Sequence, residues 1–283
     1  MCGINGFYSR SLSTFDNVVE KMNLAISHRG PDSNGTWSDK DSGIVLGHQR
    51  LSIIDLSLAG HQPMRSSSGR FILTYNGEVY NHLEIRKEIE NKNSYIKWRG
   101  NSDTEILIEA IDLWGVEIAL QKIDGMFAFA VWDRKTRSLT LARDRIGEKP
   151  LYFGWQGKRD NKVFLFGSEL KALEVHPDFN REINRDAIAL QLRHLCIPAP
   201  YSIYKDIYKL LPGHYLQLSE NDLKKNLLPT SKSYWSLTEK AIYGNNNKLN
   251  LEKKDIQIEL EKFLLSSVKK QMVSDVPIGV FLS

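Results

Sequence analysis

The sequence predicts an α+β fold, two antiparallel sheets covered by helices, from three features of its pattern. Short β-branched or aromatic runs bounded by turn residues recur between positions 2 and 167. Helical spacing is confined to a few segments grouped between those runs, the arrangement of a layered α+β domain. A polar, Asn/Lys-rich stretch then separates this part from an amphipathic helix and a final apolar run.

In chain order, residues 2–8 read as a strand, with Ile4, Phe7 and Tyr8 among small residues. A helix follows from about Asp16 to Ile26 and ends before His28-Arg29-Gly30-Pro31-Asp32, where Gly-Pro marks a break. Segments 43–47, 70–75, 126–132, 138–142, 151–155 and 163–167 read as antiparallel strands. Helices are expected at 82–90 and 103–114; in the second, Ile106, Leu107, Ala110, Ile111 and Trp114 share a face and Gly115 offers a stop. This first domain spans residues 1–218. Residues 219–250, including Asn245-Asn246-Asn247-Lys248, have linker composition. An amphipathic helix is expected over 251–272. Val276-Pro277-Ile278-Gly279-Val280-Phe281-Leu282-Ser283 reads as a buried parallel strand whose partners are missing, so 251–283 is expected to open a second, truncated domain.

Composition narrows the function. The 283 residues are 41% hydrophobic and 25% charged, ordinary for a packed fold. Thirty-eight basic against 34 acidic residues leave a net charge of +4, too balanced and dispersed for a nucleic-acid groove, so small-molecule substrates are expected. Cys2 and Cys196 are the two cysteines, which supports neither a disulfide framework nor a zinc site. A reducing compartment fits this usage. Arg10, Asp16, Glu20 and Lys21 interrupt any signal-peptide core, and no apolar run reaches the roughly 18 residues of a membrane span. The expected location is the cytoplasm, without nucleic-acid or membrane partners.

Several residues could carry chemistry. In Met1-Cys2-Gly3-Ile4, loss of the initiator methionine would place a thiol and an α-amino group on one residue, nucleophile and base together. Under an uncleaved Met1, Cys2 would be inert. Arg50 offers a planar fork suited to a carboxylate, although most arginines make only surface ion pairs. Asn76-Gly77 is first a turn signal; functionally, a side-chain amide followed by an unhindered N–H could supply two donors to one oxyanion, with Glu78 beside them to hold a cation. Ser102 with Glu105 matches a capping box at a helix start, where Asp103 could contact an ammonium. Residues 141–152 pack charges between two strands and read as a solvated hairpin loop without a catalytic role. His28, His48 and His61 lack a local triad signature and read as structural.

Taken together, Met1-Cys2-Gly3-Ile4, His28-Arg29-Gly30-Pro31-Asp32, Arg50-Leu51-Ser52-Ile53, Tyr75-Asn76-Gly77-Glu78, Ser102-Asp103-Thr104-Glu105 and Ala142-Arg143-Asp144-Arg145 resemble class II glutamine amidotransferases, and among them the glutamine-hydrolysing asparagine synthetases. The resemblance covers the whole chain, with six motifs in order. It implies an N-terminal nucleophile hydrolase with a four-layer αββα sandwich. It also implies that Cys2 attacks the glutamine amide through a thioester, with Asn76 and Gly77 holding the oxyanion. Arg50 would take the substrate carboxylate, Glu78 and Asp103 its ammonium, and the backbone of Leu51, Ser52, Ile53 and Ile54 would line the pocket. This step would need neither cofactor nor metal. Leu282 and Ser283 would open the pyrophosphate loop of an ATP-binding domain, where ATP and magnesium activate aspartate; a homodimer is compatible with it. Asn5 and Gln49 depart from common family residues without removing a catalytic group. Two other readings remain: an amidotransferase of this architecture aminating another carboxylate, such as one on a cell-surface sugar, and a non-catalytic glutamine-sensing module.

Overall fold

In a computed structural model of the chain, residues 1–10, 15–92, 96–158 and 162–281 are described. The chain runs through β1 (Gly3–Tyr8), α1 (Phe15–Ala25), β2 (Ser33–Asp39), β3 (Ile44–Arg50), β4 (Met64–Arg65) and β5 (Phe71–Val79). Three helices follow, α2 (His82–Lys92), α3 (Asp103–Trp114) and α4 (Val116–Lys122), then β6 (Gly125–Asp133), β7 (Ser138–Arg143), β8 (Tyr152–Gln156) and β9 (Val163–Gly167). The remaining elements are α5 (Leu170–Glu174), α6 (Arg185–His194), β10 (Ile207–Lys209), β11 (His214–Leu218), α7 (Glu220–Lys225), β12 (Lys232–Ser233), α8 (Leu237–Asn246) and α9 (Lys253–Gln271).

The strands form two six-stranded sheets, ordered β10-β8-β9-β1-β3-β2 and β12-β11-β7-β6-β5-β4, with every pairing antiparallel. Side chains alternate between the faces of a strand, and the three apolar layers follow that alternation. Ile4, Tyr8, Ile44, Leu46, Phe164 and Phe166 from the first sheet meet Ile72, Ala128, Ala130, Trp132, Leu139 and Leu141 from the second. Phe7, Val45 and Leu165 face outward onto α1 and α5. Leu73, Tyr75, Phe129 and Val131 face outward onto α2, α3 and α4. The result is a four-layer αββα sandwich.

The structure differs from the sequence expectations in several places. β5 runs to Val79, so Asn76-Gly77 lies inside a paired strand opposite Ala128 and Phe127 and is not a turn. The burial of both faces of β5 extends through Asn76 and overrides the local turn preference. The loop after β7 is not solvated: Asp144 is buried and gathers backbone N–H groups. Within 219–250 the chain forms α7 and α8 and adds β12 to a sheet edge, while Tyr234 donates to the Arg143 carbonyl at 2.8 Å. Residues 277–281 are exposed and form no strand, because no neighbouring strand among the described residues is there to pair with them. Leu282 and Ser283 lie outside the described residues. No helix among the described residues is long and apolar enough to cross a membrane, and no metal-binding cluster occurs among them.

Phe166 fills the layer between the sheets, with its ring against Gly6, where an added Cβ would come within 2.3 Å. Phe166→Ala should destabilise the fold by about 3–5 kcal/mol in urea unfolding. A loss below about 1 kcal/mol would show that the inter-sheet layer can collapse around the gap.

Candidate active site

Strand alternation gathers the site. Ile4 and Tyr8 of β1 face the partner sheet, so Cys2, two residues before Ile4, continues that face. Ile44 and Leu46 of β3 do the same, which puts His48 and Arg50 on the inner face as well. In β5, Ile72 faces inward, and Asn76 and Glu78 share its parity. β1 and β3 are antiparallel with Gly3 opposite Gln49, so the start of one adjoins the end of the other. Cys2, Arg50, Asn76 and Glu78 therefore converge at one end of the sandwich, in a pocket also lined by Leu51, Ile53, Ile54, Gln62, Gly77, Asp103, Met126 and Lys149.

Cys2 is pinned on both sides. The Leu51 N–H points at its Sγ at 3.4 Å, and the thiol lies 3.5 Å from the Leu51 carbonyl. Arg29 Nε donates to the Cys2 carbonyl at 2.9 Å, and its Nη1 donates to Glu169 at 2.8 Å. Burial alone would raise the Glu169 carboxyl, but hydrogen bonds from Arg29, Lys171 and His28 outweigh it and hold the group at about 2. Gly30 packs against the Gln49 backbone, where a Cβ would sit at 2.4 Å, and the Asp32 carboxylate accepts the Ser52 N–H at 2.7 Å. The 28–32 motif thus clamps the nucleophile's strand end, and Ser52 turns to Asp32 and does not line the pocket. Burial pushes the Cys2 thiol up from its ordinary value.

Two N–H donors belong to residues that line the pocket with Cys2. The Asn76 amide is 1% exposed, and its Nδ2 has no partner among the described residues. Leaving a buried donor unpaired costs about 1–3 kcal/mol, so an orphan of this kind calls for a ligand. Gly77 supplies the second by register. Tyr80 N donates to Asp124 and Arg134 N to Arg70, so the even-numbered residues of β5 exchange bonds with β6. Odd-numbered residues point the other way: Tyr75 N donates to Gln62 Oε1 at 2.7 Å and Val79 N to Asp103 Oδ2 at 2.9 Å. The Gly77 N–H lies between them on that edge, beyond the reach of β4, which pairs only with Ile72 and Leu73. A Cβ at Gly77 would approach the Met126 carbonyl to 2.3 Å, so only glycine leaves β5 and β6 in place.

The charged groups are arranged in opposition. Arg50 is 7% exposed and donates to the Ser57 carbonyl at 2.9 Å and to the Asp55 carbonyl, which shapes the loop 51–60 over the pocket. That loop is tied further by Asp275, whose N–H donates to the Ile53 carbonyl at 2.9 Å and whose carboxylate accepts Asp55 N at 2.7 Å. Asp103 opens α3 and accepts from Tyr75 Oη and Val79 N, both at 2.9 Å. Ser102 caps the Glu105 N–H at 3.2 Å, but Glu105 reaches Arg99 and Gly100 instead of closing a capping box. Burial raises the Asp103 and Glu78 carboxyls, and for Glu78 the neighbouring Asp103 charge adds to it. Two carboxylates raised in one pocket are complementary to a cation placed between them.

Sequence reasoning missed Arg29, Glu169, Tyr75, Gln62 and Lys149. Lys149 had no local signal: its loop is organised by Asp144, which accepts the N–H groups of Phe127, Ile146, Gly147, Glu148 and Lys149 at 2.5–3.1 Å. His48 is fully buried, with Nε2 3.0 Å from the Tyr75 carbonyl, and burial lowers it to about 3, so it is a neutral structural group.

A four-layer sandwich with a cysteine at the head of its first strand, facing unspent donors, has the layout of the N-terminal nucleophile hydrolases. The sequence profile of the glutamine amidotransferase domain matches residues 1–235, and the chain belongs to that family. It is 36% identical over 304 residues to a Methanocaldococcus jannaschii protein provisionally named glutamine-hydrolysing asparagine synthetase 2, with all of this chain and 54% of that protein aligned. It is 32% identical over 289 residues to glutamine-hydrolysing asparagine synthetase 3 of Bacillus subtilis, covering all of this chain and 43% of that protein. The chain thus spans about half the length of the curated relatives it matches. In fold it is similar to the Bacillus subtilis glutamine phosphoribosylpyrophosphate amidotransferase, with a TM-score of 0.58 and 18% identity over 83% of this chain and 50% of that one.

With Met1 in place, the half-buried Cys2 thiol should alkylate slowly at neutral pH and faster as pH rises, because burial raises it above its ordinary value and keeps the thiolate fraction low. Peptide mass mapping after iodoacetamide treatment checks this against the exposed Cys196.

Proposed function

We propose that the chain is the glutamine-hydrolysing part of an asparagine synthetase. In this reading residues 1–218 carry the reaction, 219–250 lead out of that domain, and 251–283 begin the ATP-dependent one. The observation that carries the reading is the buried, unpartnered Asn76 amide beside the free edge of Gly77, in the same pocket as the Cys2 thiol.

Removal of Met1 turns the Cys2 nitrogen from an amide into an α-amine. Such an amine titrates near 7.7–8.0 when unperturbed; the Met1 amine at this end of the chain is lowered by burial, with Arg29 and Lys149 acting in the same direction and Cys2 and Asp32 against it, and the Cys2 amine would take up the same surroundings. A free-base amine then stands beside a thiol that burial keeps protonated, and accepts its proton directly or through water as Sγ attacks the glutamine side-chain carbonyl. The carbonyl oxygen becomes an oxyanion between Asn76 Nδ2 and Gly77 N–H. Return of the proton to the amide nitrogen breaks the C–N bond and expels ammonia, which leaves a glutamyl thioester on Cys2. Water, deprotonated by the same amine, attacks the thioester and releases glutamate and the thiol.

Arg50 pairs with the substrate α-carboxylate, and Glu78 and Asp103 with its α-ammonium. The backbone of Leu51, Ile53 and Ile54 closes over the chain between them. Released ammonia would serve amidation of aspartate to asparagine at a second site, as the names of the relatives suggest. ATP and magnesium belong to that site. A cytoplasmic enzyme and a homodimer accord with the same reading.

A glutamate-release assay tests it: Cys2→Ala should fall to background, and equal rates in the two proteins would remove Cys2 from the mechanism. Asn76→Ala should lower kcat by about 100-fold or more. Glu78→Gln should raise KM more than it lowers kcat, since it loses an ion pair present before the transition state. Because the ammonium binds Glu78 and Asp103 in their charged forms, and burial raises both carboxyls, KM for glutamine should rise as pH falls through their raised range. A KM flat with pH would contradict that assignment.

A further inference from the structure

Lys149 is buried at 5% exposure in the nucleophile pocket, yet the mechanism above makes no use of it. Its position is built, not incidental. Its own N–H is one of those bound by Asp144, and its carbonyl accepts Arg143 Nε at 2.7 Å, so both ends of the residue are fixed. Among the described residues no carboxylate lies within ion-pair distance of its Nζ, whose close contact is the Met1 sulfur at 3.3 Å. That contact belongs to the residue whose loss starts the chemistry. Once Met1 is gone, the cation keeps its place and gives up its neighbour, while the new α-amine appears on Cys2.

We propose that Lys149 is a positioning residue for glutamine hydrolysis: its ammonium repels the proton from the Cys2 α-amino group and so keeps that amine ready to accept the thiol proton. The inference rests on the proposed role of Cys2. The charges around the amine select Lys149 for this task. Arg29, from the 27–32 segment, acts on the chain's amine in the same direction but is paired with Glu169 and spent on the Cys2 carbonyl, and Asp32, which acts the other way, is engaged by the Ser52 N–H. Asp144, in the Lys149 loop, is saturated by backbone donors, and Glu148 of that loop and Glu78 of β5 act on Lys149 from a distance. Asp103 of α3 is bound by Tyr75 and Val79. Glu78 is within electrostatic reach of both Lys149 and the chain's amine, which places the three groups together. When glutamine is bound, its ammonium engages Glu78 and leaves the Lys149 charge less compensated. The repulsion is then strongest when the base is needed.

Removing the cation should let the amine hold its proton to higher pH. In Lys149→Met, the acid limb of the kcat profile at saturating glutamine, where Glu78 is already engaged by the substrate, should move up by about one pH unit, about a tenfold loss on the acid side with a smaller loss at alkaline pH. Lys149→Arg should restore the wild-type limb. An unmoved limb would overturn the inference, and so would a uniform drop at all pH values or abolition of activity that Lys149→Arg fails to rescue, since a structural or direct proton-accepting lysine would behave that way. Cys2→Ala assayed in parallel separates the two layers. Hydrolysis by Cys2→Ala sinks the reading beneath, whereas an inactive Cys2→Ala with an unmoved Lys149→Met limb sinks only the role of Lys149.

Discussion

The antiparallel register that sets Gly3 opposite Gln49 governs the site, because it puts the first residue of β1 beside the second-to-last residue of β3. Cys2 thereby meets the Leu51 backbone, where the chain leaves β3, on one side and the Arg29 clamp on the other. A slip of one residue would turn Cys2 outward and Gly3 inward. The apolar layers on both faces of β1 forbid that slip: Ile4 and Tyr8 are committed to the inter-sheet core and Phe7 to α1. Core packing and catalytic geometry are thus one constraint.

Across the sandwich, β5 brings the complementary half. The strand turns Tyr75 and Val79 outward, where the Tyr75 hydroxyl and the Val79 N–H hold Asp103, and turns Asn76 inward, where its amide is left unpaired. The pocket is electrically unfinished in a patterned way: two raised carboxylates, a guanidinium with donors to spare and an orphaned amide. An amino acid bearing its own side-chain amide supplies a counterpart to each. The cost of burying the Asn76 amide unpaired is the kind that a fold retains for binding rather than for stability.

Much of this was legible in the sequence. The helix 103–114 with its Gly115 stop was readable because its apolar spacing and its Ser102 cap agree. The core strands were readable for the same reason of alternation. Asn76-Gly77 misled, because a dipeptide's turn preference is local while β5 is held by β6 and buried through Asn76. Asp144 misled in the opposite sense: a run of charges looks solvated until one carboxylate is seen to accept five backbone N–H groups, a geometry no spacing rule encodes. Arg29 and Glu169 stand 140 positions apart, and Lys149 reaches Met1 across 148, so their partnerships exist only in the fold. Cys2, Arg50, Asn76 and Glu78 were legible as motif residues, but that β3 and β5 run on to carry Arg50, Asn76 and Glu78, and which strand ends meet, required the register.

The most direct measurement is covalent. A glutamine-analogue diazoketone alkylates the group that attacks the side-chain carbonyl, and peptide mass mapping reports where it lands. The account predicts a single adduct on Cys2 of chains lacking Met1, with excess glutamine protecting against it. Label on Cys196 or elsewhere with Cys2 unmodified, while the protein loses its glutaminase activity, would contradict it.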